Sequence, residues 1–352
     1  MSLRTGITTG TCAAAAAKAA AMVLCGQQAP QSLPLVLPQG QEIQVPILYA
    51  HLATDPDVAV AAVRKDGGDD PDVTHGLEIL VRVSLAADGD VTFRAGEGVG
   101  IVTKPGLQVP PGEPAINPVP RRMIHDAVRQ ITSRPVCIEV AIPGGRGVAA
   151  RTYNPRLGIE GGLSVLGTTG IVRPYCIKAL RNALKCSLDV AAACGVSSPV
   201  LVPGNIGAKA ARRHFRLRDE QLIEVGNEWG YMADCLGSCP FAAVMVLGHP
   251  GKLAKLAGGQ WDTHSSRSDS AVGVVSALYE AVLRKPAPWV PTVEGLFAAL
   301  TEPGKTQLAD RLAQSIREAV AERIHQAMPV AAVLVSMAGE CLGTAGDLAL
   351  WR

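Results

Sequence analysis

Three stretches in the second half of the chain repeat one arrangement, and that arrangement leaves few folds open. "SPVLVPGN" runs into "IGAKAARRHF", "QLIEVGN" into "EWGYMADCLG", and "FAAVMVLGH" into "PGKLAKLAGG". Each is a short apolar run, then Gly-Asn or Gly-His, then a segment with helical spacing. Strands alternating with helices at this interval predict a parallel sheet with helical crossovers. Ligands of such sheets bind outside the carboxyl ends of the strands. Glycine there admits close backbone approach, and the helix start behind it offers unpaired N–H donors. Gly204, Asn205, Gly226, Asn227 and Gly248 are therefore candidate cofactor contacts, with Gly251 and Lys252 just beyond. Such dipeptides also suit plain strand-to-helix turns; their threefold recurrence favours a site.

The same half predicts a long helix in "PYCIKALRNALKCSLDVAAACG", stopped by Gly195. It also predicts helices near 268–284 and 305–326 and a last strand in "PVAAVLVSMAG". The first half has a different rhythm. A helix over 9–25 follows capping threonines, and "LPLVLPQGQEIQVPILYAHLA" reads as two strands around a turn. "LEILVRVSLAADGDVTFRAGEGVG" alternates around Asp-Gly-Asp, a hairpin signal. "PVCIEVAIP" and "GVAARTYN" read as further strands, and Pro120 can open a helix reaching about Ile131. The expected architecture is two domains, an α+β domain over 1–150 and an α/β domain with a mainly parallel sheet over 151–352.

Bulk properties narrow the function. A chain of 352 residues is long for a single core. A net charge of +2 gives no general attraction to nucleic acid or to a membrane surface. No apolar run approaches the roughly 18 residues of a membrane span. The opening "RTGITTGTCAAAAAKAAAMVLCG" imitates a secretion signal, but Thr8, Thr9, Gly10 and Thr11 interrupt its approach and Lys18 its apolar run. The chain reads as cytoplasmic. Nine scattered cysteines without a Cys-x-x-Cys pair suit reduced thiols. Cys235 and Cys239 share a spacing a metal could use but lack a second pair, and no protein metal site is expected. The oligomeric state stays open, a homo-oligomer included.

Several motifs invite chemistry. "GHPGKLAK" fails the phosphate-loop pattern, because Gly248 and Gly251 stand too close and Leu253 follows Lys252. "GEGVG" has the wrong spacing for a dinucleotide fingerprint. "WDTHSSRSD" concentrates Asp262, His264 and Asp269 among hydroxyls. Ser268 or Asp269 could cap the next helix, or a carboxylate could orient His264 as a general base; His249 is a second candidate for proton transfer. Thr-Thr-Gly occurs twice, at Thr8–Gly10 and at Thr168, Thr169 and Gly170, each time leading towards a helix. Hydroxyls and free N–H groups at a helix start suit carboxylates. Arg121, Arg156 and Arg173 lie near these loops and could pair carboxylates bidentately.

"TGITTGTCAAAAAKAA", "GVGIVTKPGL", "GEPAINPVPRRMI", "NPRLGIEGGLSVLGTTGIVRP", "GHPGKLAKLAGG" and "DTHS" together resemble the CbiD family, the cobalt-precorrin-5B C(1)-methyltransferases of anaerobic cobalamin biosynthesis. The match runs in order from residue 4 to about 270, with departures at Pro250, Asp262 and Ser268–Ala271. The resemblance implies methyl transfer from S-adenosylmethionine to C-1 of cobalt-precorrin-5B, giving cobalt-precorrin-6A. Cobalt then arrives with the tetrapyrrole substrate. On this reading S-adenosylmethionine sits at the edge of the second-domain sheet, and the carboxylate-rich macrocycle lies against the first domain and meets Thr8–Thr11, Thr168–Gly170 and the nearby arginines. Two other readings compete: a tetrapyrrole carrier or chaperone without methyl transfer, and a phosphotransferase using the Gly-rich loops.

Overall fold

The alanine run builds the centre of the first half. A computed structural model describes residues 3–352, divided into one unit ending at Ile177 and another beginning at Lys178. The first unit opens with β1 (Gly6–Ile7) and α1 (Thr9–Leu24), followed by β2 (Ser32–Val36), β3 (Glu42–Pro46), β4 (Tyr49–Leu52), β5 (Val58–Arg64) and β6 (Glu78–Leu85). β7 (Val91–Ala95), β8 (Ile101–Val102), α2 (Pro118–Arg129), β9 (Val136–Ala141), α3 (Gly145–Ala149), β10 (Ile159–Glu160) and β11 (Ile171–Val172) complete it. Ala13–Ala17 and Ala19–Ala21 are all fully buried. A helix buried on every side needs small side chains, because α1 lies on β4, β5 and β6 and also meets α2 and β2. The approach to α2 is so close that a Cβ at Gly10 would lie 2.8 Å from Pro120 Cγ.

The main sheet of this unit has the order β4-β5-β6-β9-β7. This corrects the expected hairpin: β6 and β7 do not pair, and β9 lies between them, antiparallel to β6 and parallel to β7. Val136, Ile138 and Val140 of β9 are fully buried and demand a central position. β7 exposes Thr92 and Arg94, which suits an edge. "GVAARTYN" is not a strand either. Gly144 takes a left-handed turn (φ 75°) that starts the short helix α3 instead. Residues 151–177, beyond the division expected near 150, bond back into this unit: Leu163 N donates to Gly98 O at 2.8 Å, and β11 pairs β1.

The second unit follows the alternation its sequence announces. It carries α4 (Ile177–Ala193), β12 (Val200–Val202), α5 (Asn205–His214), β13 (Leu222–Glu224), α6 (Trp229–Leu236), β14 (Val244–Gly248) and α7 (Pro250–Ala257). Then come α8 (Val272–Leu283), α9 (Val293–Ala298), α10 (Glu302–Arg323), β15 (Val330–Val335) and β16 (Cys341–Ala345). The sheet order is β13-β12-β14-β15-β16, parallel except for the antiparallel edge β16. Leu201, Ile223, Val246 and Leu334 face a core shared with α4, α6, α7, α8, α9 and α10. Val202, Met245, Leu247 and Val333 face α5 and Trp351. The strand order reverses between β12 and β14. Their carboxyl ends meet there, and a Cβ on Gly248 would lie 2.7 Å from Pro203 Cδ.

Candidate functional site

All three dipeptides fall where the strand pattern placed them, at the carboxyl ends of β12, β13 and β14, with Gly248 the last residue of β14. Gly204 precedes α5, and Asn205 is its exposed first residue. Gly226 adopts a left-handed conformation (φ 61°) that turns the chain from β13 towards α6. His249 caps α7: the N–H of Gly251 donates to His249 Nδ1 at 3.1 Å. With Nδ1 accepting, the neutral ring carries its proton on Nε2. Burial holds the His249 pKa below its ordinary value, partly opposed by the nearby Glu294. The imidazole is thus neutral near pH 7.

Side chains stitch these turns together. Lys252 Nζ donates to Asn227 Oδ1 at 2.9 Å, joining the β14 turn to the β13 turn. Thr263 adds two bonds, from Oγ1 to Asn227 Oδ1 and from N to Asn227 O, both 3.2 Å. Burial, reinforced by Lys255, pulls the Lys252 pKa down. Lys255, only 7 % exposed, donates to Thr263 O at 3.3 Å and Ser268 Oγ at 2.7 Å. Beside Asn227, Glu228 is buried and accepts from Arg181 Nε at 2.7 Å.

The 262–270 loop does not cap the next helix as expected. The residue before α8 is Ala271, and only Ser270 Oγ accepts an N–H of its first turn, from Val272 at 3.3 Å. Ser268 instead accepts from Lys255 and donates to His264 O, and Asp269 accepts from Gln260. Asp262 takes the backbone N–H of His264 and pairs with Arg267 at 2.9 Å, so its carboxylate does not orient the imidazole. His264 Nδ1 meets Ser266 Oγ at 2.8 Å, and its side chain is exposed. Cys239 Sγ donates to the Cys235 carbonyl.

In the first unit the two Thr-Thr-Gly segments bond to each other. Thr9 Oγ1 donates to Leu166 O at 3.1 Å and accepts from Leu166 N at 3.0 Å. Thr11 Oγ1 donates to Gly170 O at 2.7 Å, so the 3.0 Å contact between the two hydroxyls has Thr8 as donor. Thr8 Oγ1 accepts Thr11 N at 3.2 Å and caps α1, and Gly10 N donates to Leu166 O. Thr8, Thr9 and Thr11 are buried, whereas Thr168 is exposed and Thr169 half-buried. The strings "GVGIV", "GEPAIN" and "GIEGGLSV" join the same knot. Gly100 N donates to Leu163 O, Ala115 N to Gly100 O, and Val165 N to Ala115 O.

The arginines divide. Arg121 is committed to the fold, its Nε on Ile116 O at 2.8 Å, its Nη2 on Glu113 and its guanidinium over Phe93. Arg156 is exposed and lies over the Tyr153 ring, and Arg173 is exposed.

Sequence reasoning missed Lys255 and Thr263, although Lys252 and Lys255, spaced i, i+3, mark one helix face. The Gly/Asp turn after the strand-like run of "VAVAAVRKDGGDDPDV" is readable from the letters, but not that within it the 2 %-exposed Lys65 pairs with Asp72 at 2.5 Å. A lysine written amid acids signals a solvated turn, and only the fold reveals that this one is interior.

Comparison with known proteins gives these observations a family. The CbiD model matches residues 1–174, and the CbiD C-terminal domain model matches residues 262–346. A cobalt-precorrin-5B C(1)-methyltransferase of Syntrophotalea carbinolica is 53 % identical over 350 residues, covering 99 % of each chain. That of Methanocaldococcus jannaschii is 39 % identical over 96 % of this chain and 95 % of its own. A crystal structure of a cobalamin biosynthesis protein (cbiD) from Archaeoglobus fulgidus is 28 % identical, covers 75 % of this chain and 83 % of that one, and has a TM-score of 0.39. The first matched model spans the knot of the first unit and the second begins at the loop that Lys255 holds, and relatives of 53 % and 39 % identity cover nearly the whole chain: this chain belongs to the CbiD family.

Proposed function

We propose that this chain transfers the methyl group of S-adenosylmethionine to ring carbon C-1 of cobalt-precorrin-5B in the cytoplasm, releasing cobalt-precorrin-6A and S-adenosylhomocysteine. The observation that carries the reading is identity of 53 %, over nearly the whole of both chains, to a protein named for that reaction. The ring carbon's electron pair forms the new C–CH3 bond while the S–CH3 pair stays on sulfur. Such a displacement needs reactants held in line, about 3–3.5 Å apart, and little other chemistry. Cobalt enters as part of the substrate.

The carboxyl edge of the second-unit sheet is the proposed S-adenosylmethionine site, through Gly204, Asn205, Gly226, Asn227, Gly248, Gly251 and Lys252. Support comes from the strand-order reversal between β12 and β14 and from the donors gathered there. The macrocycle's carboxylates are proposed to meet Thr168, Arg156 and Arg173 in the first unit, whose side chains are exposed. Neutral His249 and exposed His264 are the candidates should C-1 methylation require a proton to move.

The test is anaerobic incubation with cobalt-precorrin-5B and methyl-labelled S-adenosylmethionine. Label at C-1 is the expected result. Label elsewhere refutes the regiochemistry, and a corrinoid that binds without gaining the methyl mass identifies a carrier instead.

A further inference from the structure

The turns after β13 and β14 bring together hydrogen-bond donors that the fold leaves unspent. Asn227 Oδ1 accepts from both Lys252 Nζ and Thr263 Oγ1. That double acceptance fixes the amide orientation, since Nδ2 cannot accept. The two N–H groups of Nδ2 and the remaining two of the Lys252 ammonium are used by none of these bonds. His249, one helical turn before Lys252, presents Nε2–H because its Nδ1 accepts from Gly251. A group of donors with one positive charge fits an anion rather than a neutral amide or hydroxyl.

S-adenosylmethionine offers a single anion. Its sulfonium and α-ammonium are cations, its adenosine is neutral, and a lysine repels the first two. Resting on the cofactor placement above, we propose that Lys252 and the Asn227 amide bind the α-carboxylate of the methionine moiety, with Thr263 and Lys255 as positioning residues. Thr263 holds Asn227 Oδ1 towards Lys252 and so turns Nδ2 to the ligand. Lys255 in turn holds the Thr263 carbonyl and Ser268, keeping the loop over this edge. The orientation follows: adenosine lies away from α7, and the sulfonium is separated from Lys252 by the carboxylate-bearing carbon chain. A bound carboxylate also offsets the burial that otherwise lowers the Lys252 pKa.

Two ligands separate this assignment from the placement it rests on. S-adenosylhomocysteine carries the amino-acid carboxylate; 5′-methylthioadenosine keeps adenosine and sulfur but lacks it. In calorimetric titrations, Lys252→Met should weaken S-adenosylhomocysteine about tenfold or more, the usual worth of a hydrogen bond to a charged group. Methylthioadenosine should change by less than about twofold. Thr263→Val should reproduce the selective loss more weakly, and Thr263→Ser should restore binding. Equal losses for both ligands, or no loss for either, would overturn the carboxylate assignment. Wild-type protein that binds neither ligand would instead overturn the reading of S-adenosylmethionine as this chain's methyl donor, on which the assignment rests. Should Lys252→Met fail to fold, Asn227→Ala is read by the same pair of titrations and the same criterion.

Discussion

Replacing Asp72 by Asn should damage the first unit far more than replacing Lys65 by Met, although both break the same ion pair. Lys65 follows β5 and is 2 % exposed; its Nζ stands 2.5 Å from Asp72 Oδ2. Asp72 is 25 % exposed, and its Oδ1 accepts Thr74 N at 2.8 Å and Thr74 Oγ1 at 2.7 Å. Asp72→Asn leaves an ammonium buried beside a neutral amide. Breaking a buried pair this way costs about 3–5 kcal/mol, and partial hydration at Asp72 favours the lower end. For a unit of this size about 3 kcal/mol corresponds to roughly 6–12 °C in Tm. Lys65→Met removes the buried charge and fills the space with apolar atoms, while Asp72 keeps Thr74 and some water. That change should stay within about 1 kcal/mol. The four tryptophans all lie in the second unit, so far-UV circular dichroism is the better probe. Acid adds a second readout. Burial pushes the Asp72 pKa up, but the hydrogen bond and charge of Lys65, with Thr74, outweigh it and hold it below the ordinary value. A depressed carboxyl stabilises above its unfolded pKa of about 4. Its contribution is lost as pH falls through the folded value, so Asp72→Asn should flatten the acid limb. Asp66, drawn down to about 2 chiefly by its hydrogen bonds to Arg4, should leave a residual slope below pH 4. Equal loss in the two variants, or a neutral Asp72→Asn, would refute the asymmetry.

Four further outcomes are expected. Thr11→Val keeps the shape but removes one of the two donors to Gly170 O, which retains Thr8 N, and leaves the buried Thr8 hydroxyl without its acceptor; this should cost about 1–3 kcal/mol in urea denaturation, with Thr11→Ser near wild type. Gly98→Ala should prevent folding or cost more than about 3 kcal/mol, because φ is 73° and the new Cβ would lie 2.0 Å from Ile142 O. Gly144→Ala, equally left-handed but facing open space, should cost only about 1–2 kcal/mol by thermal melting. With a chromogenic disulfide reagent, the exposed Cys25, Cys176 and Cys341 should react in the native state, Cys341 more slowly because burial pushes its thiol up. Cys12, buried with its thiol pushed up to about 12 by desolvation, should react only on unfolding.

The sheet of the second unit was legible because its local pattern and its long-range pairing agree. Each apolar strand returns beside its neighbour through a helix, as parallel strands must. Edge strand β16 was not, since "CLGTA" carries a glycine and no run of branched residues. The first unit shows the opposite case. Strands adjacent in sequence usually pair, and the turn between β6 and β7 is a sound turn. Yet β9 takes the place between them because Val136, Ile138 and Val140 bury both neighbours' edges in the core. The cap at Thr8 was visible in the letters. Its partnership with Gly170, 162 residues away in sequence, has no local signature. Lys65 and Lys255 escaped for a related reason: lysine is an exterior residue until the fold supplies a carboxylate, or a carbonyl and a hydroxyl, to receive it.

How each cluster spends its polar groups separates scaffold from contact surface. In the knot of the first unit, the hydroxyls of Thr8, Thr9 and Thr11 are used on each other, on Leu166 and on Gly170, and all three are buried. Those threonines fix where the 166–170 loop lies, and the side chains of Leu166 and Thr168 are what that loop presents to solvent. At the edge of the second unit the accounting differs. Among the described residues, the Asn227 oxygen accepts twice and its nitrogen meets no partner, and Lys252 uses one N–H of three. A fold that needed these side chains only for itself would have closed them as completely as it closed the threonines. Donors fixed in orientation by Thr263 and Lys255 yet left open are what preorganised recognition of an anion requires, because the ordering cost is met before the ligand arrives.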